Sequence, residues 1–180
     1  MRSPEYTQEE LELHCRCAGV FLTRGDGVDV EILLVETHRK KYQYSFPKGK
    51  RERGEDTLSA AKRELLEETG ISEDSYEFIS GRRYIEYKPD CDKPHIVYYA
   101  ARLKTHNVIL APRDTKEIRS AKWFTPADIY TMRTELYLQR RQIVTKAVRE
   151  LKTKPRHRTI ICQENFSLQT INHEATPSRA

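Results

Sequence analysis

Three glutamates, Glu64, Glu67 and Glu68, stand three and four residues apart. On a helix that spacing stacks their carboxylates on one face. Like charges placed this way repel by roughly 0.2–0.5 kcal/mol per exposed pair. Something positive must offset them: the neighbouring Arg63, a divalent ion, or both. Clustered carboxylates are hard oxygen donors of the kind that Mg2+ and Mn2+ prefer. A divalent ion there could neutralise the charge that builds on a polyphosphate and lower the pKa of a bound water. A carboxylate beside it could then accept the water proton. Glu67 and Glu68 are the first candidates for that base, and Glu117, in the loop before Trp123 and Phe124, is another.

The segment ahead of the acids could approach an anion closely. Tyr44 to Phe46 ends an apolar strand, and the chain then enters a loop with Gly49 and Gly54 and four bases, Lys48, Lys50, Arg51 and Arg53. Glycine lets backbone come near a ligand or ion. The four bases could hold phosphate oxygens, and an ordinary charged loop is the plainer alternative for each.

Loop and helix together fit one spaced pattern, G-x5-E-x7-R-E-U-x-E-E-x-G-U with U aliphatic, through Gly49, Glu55, Arg63, Glu64, Leu65, Glu67, Glu68, Gly70 and Ile71. This resembles the signature of the Nudix hydrolases. The resemblance implies an α/β fold, an αβα sandwich around a mixed central sheet, over roughly residues 14–152. It also implies metal-dependent cleavage of phosphoanhydrides, with Mg2+ or Mn2+ held by Glu64, Glu67, Glu68 and the Gly49 carbonyl. Glu55 and Arg63 would orient the loop and helix. The stretch from Ser45 to Lys50, SFPKGK, is similar to the branches that act on mRNA caps, dinucleoside polyphosphates or diphosphoinositol polyphosphates. The expected partner is therefore a polyphosphorylated small molecule or capped RNA. A domain that reads a nucleotide or RNA without cleaving it is the competing class. It would be marked by loss of a box glutamate, and none is lost here.

These residues need elements to hold them. Asp56 or Thr57 can cap the box helix, Leu58, Ala61, Leu65 and Thr69 form its less polar stripe, and Gly70 suits a left-handed stop. Strands are expected over 15–23 and 30–37, joined as a hairpin by Gly25-Asp26-Gly27, with a short one over 43–46. Further strands are expected over 76–88, 95–103 and 121–124, then a helical turn from Pro126 and a helix over 135–152. On the 76–88 strand, Arg83 and Tyr87 share one face and Arg82 and Tyr84 the other, so only one set can meet the cleft. Arg83 is the candidate phosphate contact there.

The chain has 180 residues, enough for about one domain. Residues 1–13 read as a polar lead with at most a short turn, and residues 153–180 as a basic, then polar tail, disordered in large part. The net charge of +5 favours polyanionic partners without choosing among them. No apolar run approaches the roughly 20 residues of a membrane span. Cys15, Cys17, Cys91 and Cys162 lack zinc-site spacing and read as free thiols, which fits the cytoplasm or nucleus. A mature secreted form that has lost a leader stays open.

Overall fold

The computed structural model describes residues 6–38, 43–89, 93–105, 107–132 and 135–152. The tail from residue 153, Cys91 and Cys162 lie outside them. Helix α1 (Gln8–His14) comes first, then β1 (Cys17–Arg24), β2 (Glu31–Thr37), β3 (Tyr44–Ser45) and β4 (Lys48–Lys50). Helix α2 (Thr57–Thr69) follows, then β5 (Tyr76–Tyr87), β6 (Pro94–Leu103), β7 (Ile118–Phe124), α3 (Pro126–Thr131) and α4 (Leu138–Lys152).

The strands form one mixed sheet in the order β3-β2-β1-β6-β5, with β4 on β1 and β7 on β2. The expected hairpin is present, with Thr23 opposite Ile32 and Arg24 opposite Glu31. Strands β1 and β6 run parallel, from Cys17 opposite Ile96 to Thr23 opposite Arg102. Alternation along β1 feeds two cores, one on each face. Val20 and Leu22 pack with Leu11, Ala60, Ala61 and Leu65 under α1 and α2. Phe21 packs with Phe46, Tyr84 and Tyr98, and with Ile129, Ile143 and Val144 of α3 and α4. Helices therefore cover both faces, which is the expected α/β sandwich.

Four expectations change, the first being that β7 starts at Ile118, three residues ahead of the expected 121. Residues 8–14 are a helix and not a loose lead. Thr7 caps it, taking the Glu10 N–H while the Glu10 carboxylate takes the Thr7 N–H, a reciprocal pair that the Thr-x-x-Glu spacing already carried. Lys48 to Lys50 are a strand, because Ala18 and Gly19 of β1 offer an edge opposite Gly49 and Lys48. The last helix starts at Leu138, three residues later than the pattern suggests. Leu136 is buried ahead of it and Tyr44 bridges to it.

Candidate active site

Helix α2 is set at both ends. Asp56 accepts the Ser59 N–H at 2.8 Å at its start. Gly70 closes it at φ 79°, a left-handed conformation that glycine takes without steric cost. Beyond it the loop before β7 docks on the open carbonyls of the last turn. Ala111 N–H donates to Thr69 O at 2.9 Å, and Arg113 and Asp114 donate to Glu67 O at 2.8 and 3.1 Å. Asp114 then receives the amides of Lys116 and Glu117. This train ties Glu117 to the end of α2.

Strand β4 meets the acids. Glycine 49 faces α2, and a Cβ at that position would collide with the Glu64 carboxylate. The Lys48 N–H donates to Glu68 Oε2 at 2.8 Å. Pairing of Lys50 with Cys17 and of Lys48 with Gly19 puts both lysine side chains on the other face of the strand. There burial holds the Cys17 thiol above its ordinary value, against the pull of both lysine charges.

Arg63 is the hub. Its Nε and Nη2 donate to the two Glu55 oxygens at 2.9 and 3.0 Å. Its Nη1 donates to Glu64 at 2.9 Å and Glu67 at 3.0 Å, and its Nη2 also reaches Lys50 O at 2.9 Å. The hydrogen bonds from Arg63 hold the Glu55 carboxyl below its usual range.

The acids differ in setting. Burial pushes Glu68 up to about 8, against the pull of the Lys48 charge and N–H, and Glu64 and Glu117 push it further. Glu117 is thus within electrostatic reach of Glu68, although exposed itself. Burial also raises Glu64, while Arg63 lowers it. Glu67 is the most open of the three, 45% exposed at the side chain. Among the described residues no group of three or more His, Cys, Asp and Glu side chains is arranged as it stands to hold a metal ion. Two of the box acids are turned to Arg63. The donor chemistry nonetheless fits a hard divalent ion: buried, mutually repelling carboxylates beside a residue-49 backbone that only glycine leaves open.

The remaining candidates divide. Lys48, Lys50 and exposed Arg53 stand around the glycine strand and its turn. Arg51 does not face outward: its guanidinium donates to the Glu55 and Glu12 carbonyls at 2.7 Å and pairs with the Glu12 carboxylate. Arg83 is likewise drawn to α1, donating to Gln8 at 2.9 Å and to the Tyr6 carbonyl at 3.3 Å. Neither is placed as a free phosphate contact. Tyr84 belongs to the core under α4, and Arg82 lies 3.7 Å from Glu150. The contact that sequence reasoning did not find is Glu12, on a helix read as loose.

A sheet covered on both faces, with a glycine strand meeting Glu64 and Glu68 of the box helix, has the build of a Nudix domain. The NUDIX domain family matches residues 13–147, and the chain belongs to that family. Among curated proteins it is 31% identical over 112 residues to a putative mRNA-decapping protein of Acanthamoeba polyphaga mimivirus, covering 59% of this chain and 31% of the relative. It is also 31% identical over 99 residues to the asymmetrical bis(5'-nucleosyl)-tetraphosphatase of Mus musculus, covering 54% of this chain and 66% of the relative. The chain thus spans about one to two thirds of the length of these relatives. The crystal structure of C. elegans Ap4A hydrolase superposes with a TM-score of 0.62 at 23% identity, over 77% of this chain and 98% of that one. That likeness is one of fold.

Proposed function

We propose that this domain is a metal-dependent pyrophosphohydrolase that cleaves a phosphoanhydride bond of a dinucleoside polyphosphate. The observation that carries it is the seat of the acids: Glu64 against Gly49, and Glu68 on the Lys48 N–H. Glu64, Glu67, Glu68 and the Gly49 carbonyl would hold Mg2+ or Mn2+. Bound there, the ion would neutralise phosphate charge and make water more acidic. Arg63 holds Glu64 and Glu67 in register until they are needed. Lys48 and Lys50, on the face of β4 opposite Gly49, would balance the charge of a polyphosphate chain. Glu67, Glu68 and Glu117 remain the candidates to take the water proton, and Glu67 is the most open of the box acids.

The name of the Mus musculus relative supports the dinucleoside substrate. The viral relative supports capped RNA as the second reading, over a smaller share of that protein. Diphosphoinositol polyphosphates rest on the SFPKGK stretch alone. The test is product release from diadenosine polyphosphates, capped RNA, diphosphoinositol polyphosphates, nucleotide sugars and dNTPs with Mg2+ or Mn2+, beside Glu64→Gln, Glu67→Gln and Glu68→Gln. Metal-dependent cleavage lost in the variants supports a hydrolase and names its substrate. Tight binding of a panel member with no turnover supports a nucleotide-reading domain and sinks the proposal.

A further inference from the structure

Glu12 lies on α1, outside the spaced motif, and its carboxylate joins two parts of the site. It accepts the Thr57 N–H at 2.9 and 3.1 Å and the Thr57 hydroxyl at 2.6 Å. Thr57 is the first residue of α2, and its N–H has no partner within the helix. A carboxylate at that end is also favoured by the helix dipole. Asp56 caps the helix from within the chain, and Glu12 adds a second cap from a separate element. Thr57 is fully buried, and its hydroxyl also meets the Tyr99 hydroxyl at 2.6 Å.

The same carboxylate pairs with Arg51 at 2.7 Å. Arg51 donates to the Glu55 main-chain oxygen at 2.9 and 2.7 Å. The Glu55 carboxylate grips Arg63, and Arg63 holds Glu64 and Glu67. A train of hydrogen bonds from charged donors, passing through the covalent frame of Glu55, therefore runs from α1 to two box acids. Its links are short and mostly shielded: the Arg51, Glu12 and Arg63 side chains are 24%, 27% and 23% exposed. A shift at one link moves the next, because each guanidinium has fixed donor directions.

We propose that Glu12 is a positioning residue: α1 clamps the start of α2 and, through Arg51, Glu55 and Arg63, sets Glu64 and Glu67 where a divalent ion can be taken up. This rests on the reading above that those acids hold the ion. It goes beyond the motif, since Glu12 and Arg51 are not among its fixed positions. Outer partners of a metal site commonly change affinity on the order of tenfold or more when removed.

The test compares the unaltered protein with Glu12→Gln, Glu12→Asp and Arg51→Lys by Mn2+ titration, by amide exchange without metal, and by turnover. In Glu12→Gln, Mn2+ binding should weaken about tenfold. Exchange should quicken at Thr57 and at Glu52, whose N–H rests on the Glu55 carboxylate at 2.8 Å. The core amides of β6, Val97 to Ala101, should keep their protection. Turnover should recover at saturating Mn2+, Arg51→Lys should show the same pattern, and Glu12→Asp should restore part of the binding. Unchanged Mn2+ binding and unchanged Thr57 exchange in Glu12→Gln overturn the proposal. So does protection lost equally across β6, which would make α1 a general stabilising element. An unaltered protein that binds no Mn2+ and cleaves nothing sinks the hydrolase reading, and this inference with it. A metal-binding unaltered protein beside an indifferent Glu12→Gln variant sinks this inference alone.

Discussion

The Glu64 carboxylate occupies the space that a side chain at Gly49 would need. Gly49 is not among the glycines with positive φ, so its backbone would accept alanine. The conflict is with Glu64 itself. Gly49→Ala should therefore lower kcat/KM on the order of a hundredfold, as misplacement by about 1 Å does. Overpacking should cost about 1–3 kcal/mol of stability. Steady-state kinetics beside urea unfolding checks both, and near-normal turnover would mean that Glu64 does not act from this seat.

Gly70 combines two constraints. Its φ is 79°, and an added Cβ would sit 2.6 Å from the Ala111 carbonyl. Gly70→Ala should destabilise by about 2 kcal/mol or more, from the left-handed backbone and from the clash. The displaced loop carries Glu117, so turnover should fall further than stability alone explains if Glu117 takes part. Thermal unfolding and kinetics on one sample separate the two effects.

A buried charge pair pins α4 to the sheet. Arg140 donates to Glu86 at 2.9 and 3.2 Å, and the Tyr98 hydroxyl donates to Glu86 at 2.9 Å. Glu86→Gln leaves Arg140 buried without its counter-charge and should cost about 3–5 kcal/mol. Urea unfolding measures this, and a loss below 1 kcal/mol would show that water reaches the guanidinium.

The acid limb of the stability curve should involve Glu36. Burial pushes its carboxyl up, but hydrogen bonds from Ser120 and Lys122, the Lys122 charge and Arg119 outweigh that and hold it below its ordinary 4.5. A carboxylate lowered on folding stabilises the native state above its unfolded pKa. That contribution is lost as pH falls through the lower, folded value. Wild type should therefore exceed Glu36→Gln most at neutral pH, and the gap should close only as pH drops below about 4.5. A gap independent of pH between 7 and 3 would contradict this.

The box was legible because its meaning is local. Glu64, Glu67 and Glu68 share a face by helix geometry alone, and Asp56 and Gly70 bound α2 as their residue types suggest. What stayed hidden depends on partners distant in sequence. Arg51 looked like an anion-binding base, yet Glu12 and Glu55 claim it from either side of the chain. Arg83 looked available, yet α1 folds across it, and the bulge between Phe78 and Arg83 resets the register of β5. The Glu86–Arg140 pair shows no local pattern, because its two residues sit on a strand and a helix with a long stretch between them. The missed α1 is different: its capping residues Thr7 and Glu10 were in plain view.

The parallel seam between β1 and β6 has a consequence for how the chain acquires its shape. One edge of β1 can pair early, with β2 and β4 close by in sequence. The other edge must wait for residues 96–102, which leave the ribosome only after the whole box helix has been made. Pairings between distant segments form slowly, since loop-closure entropy precedes their reward. Until then Val97, Tyr98 and Tyr99 present a sticky strand to other chains. Refolding yield should therefore fall as protein concentration rises.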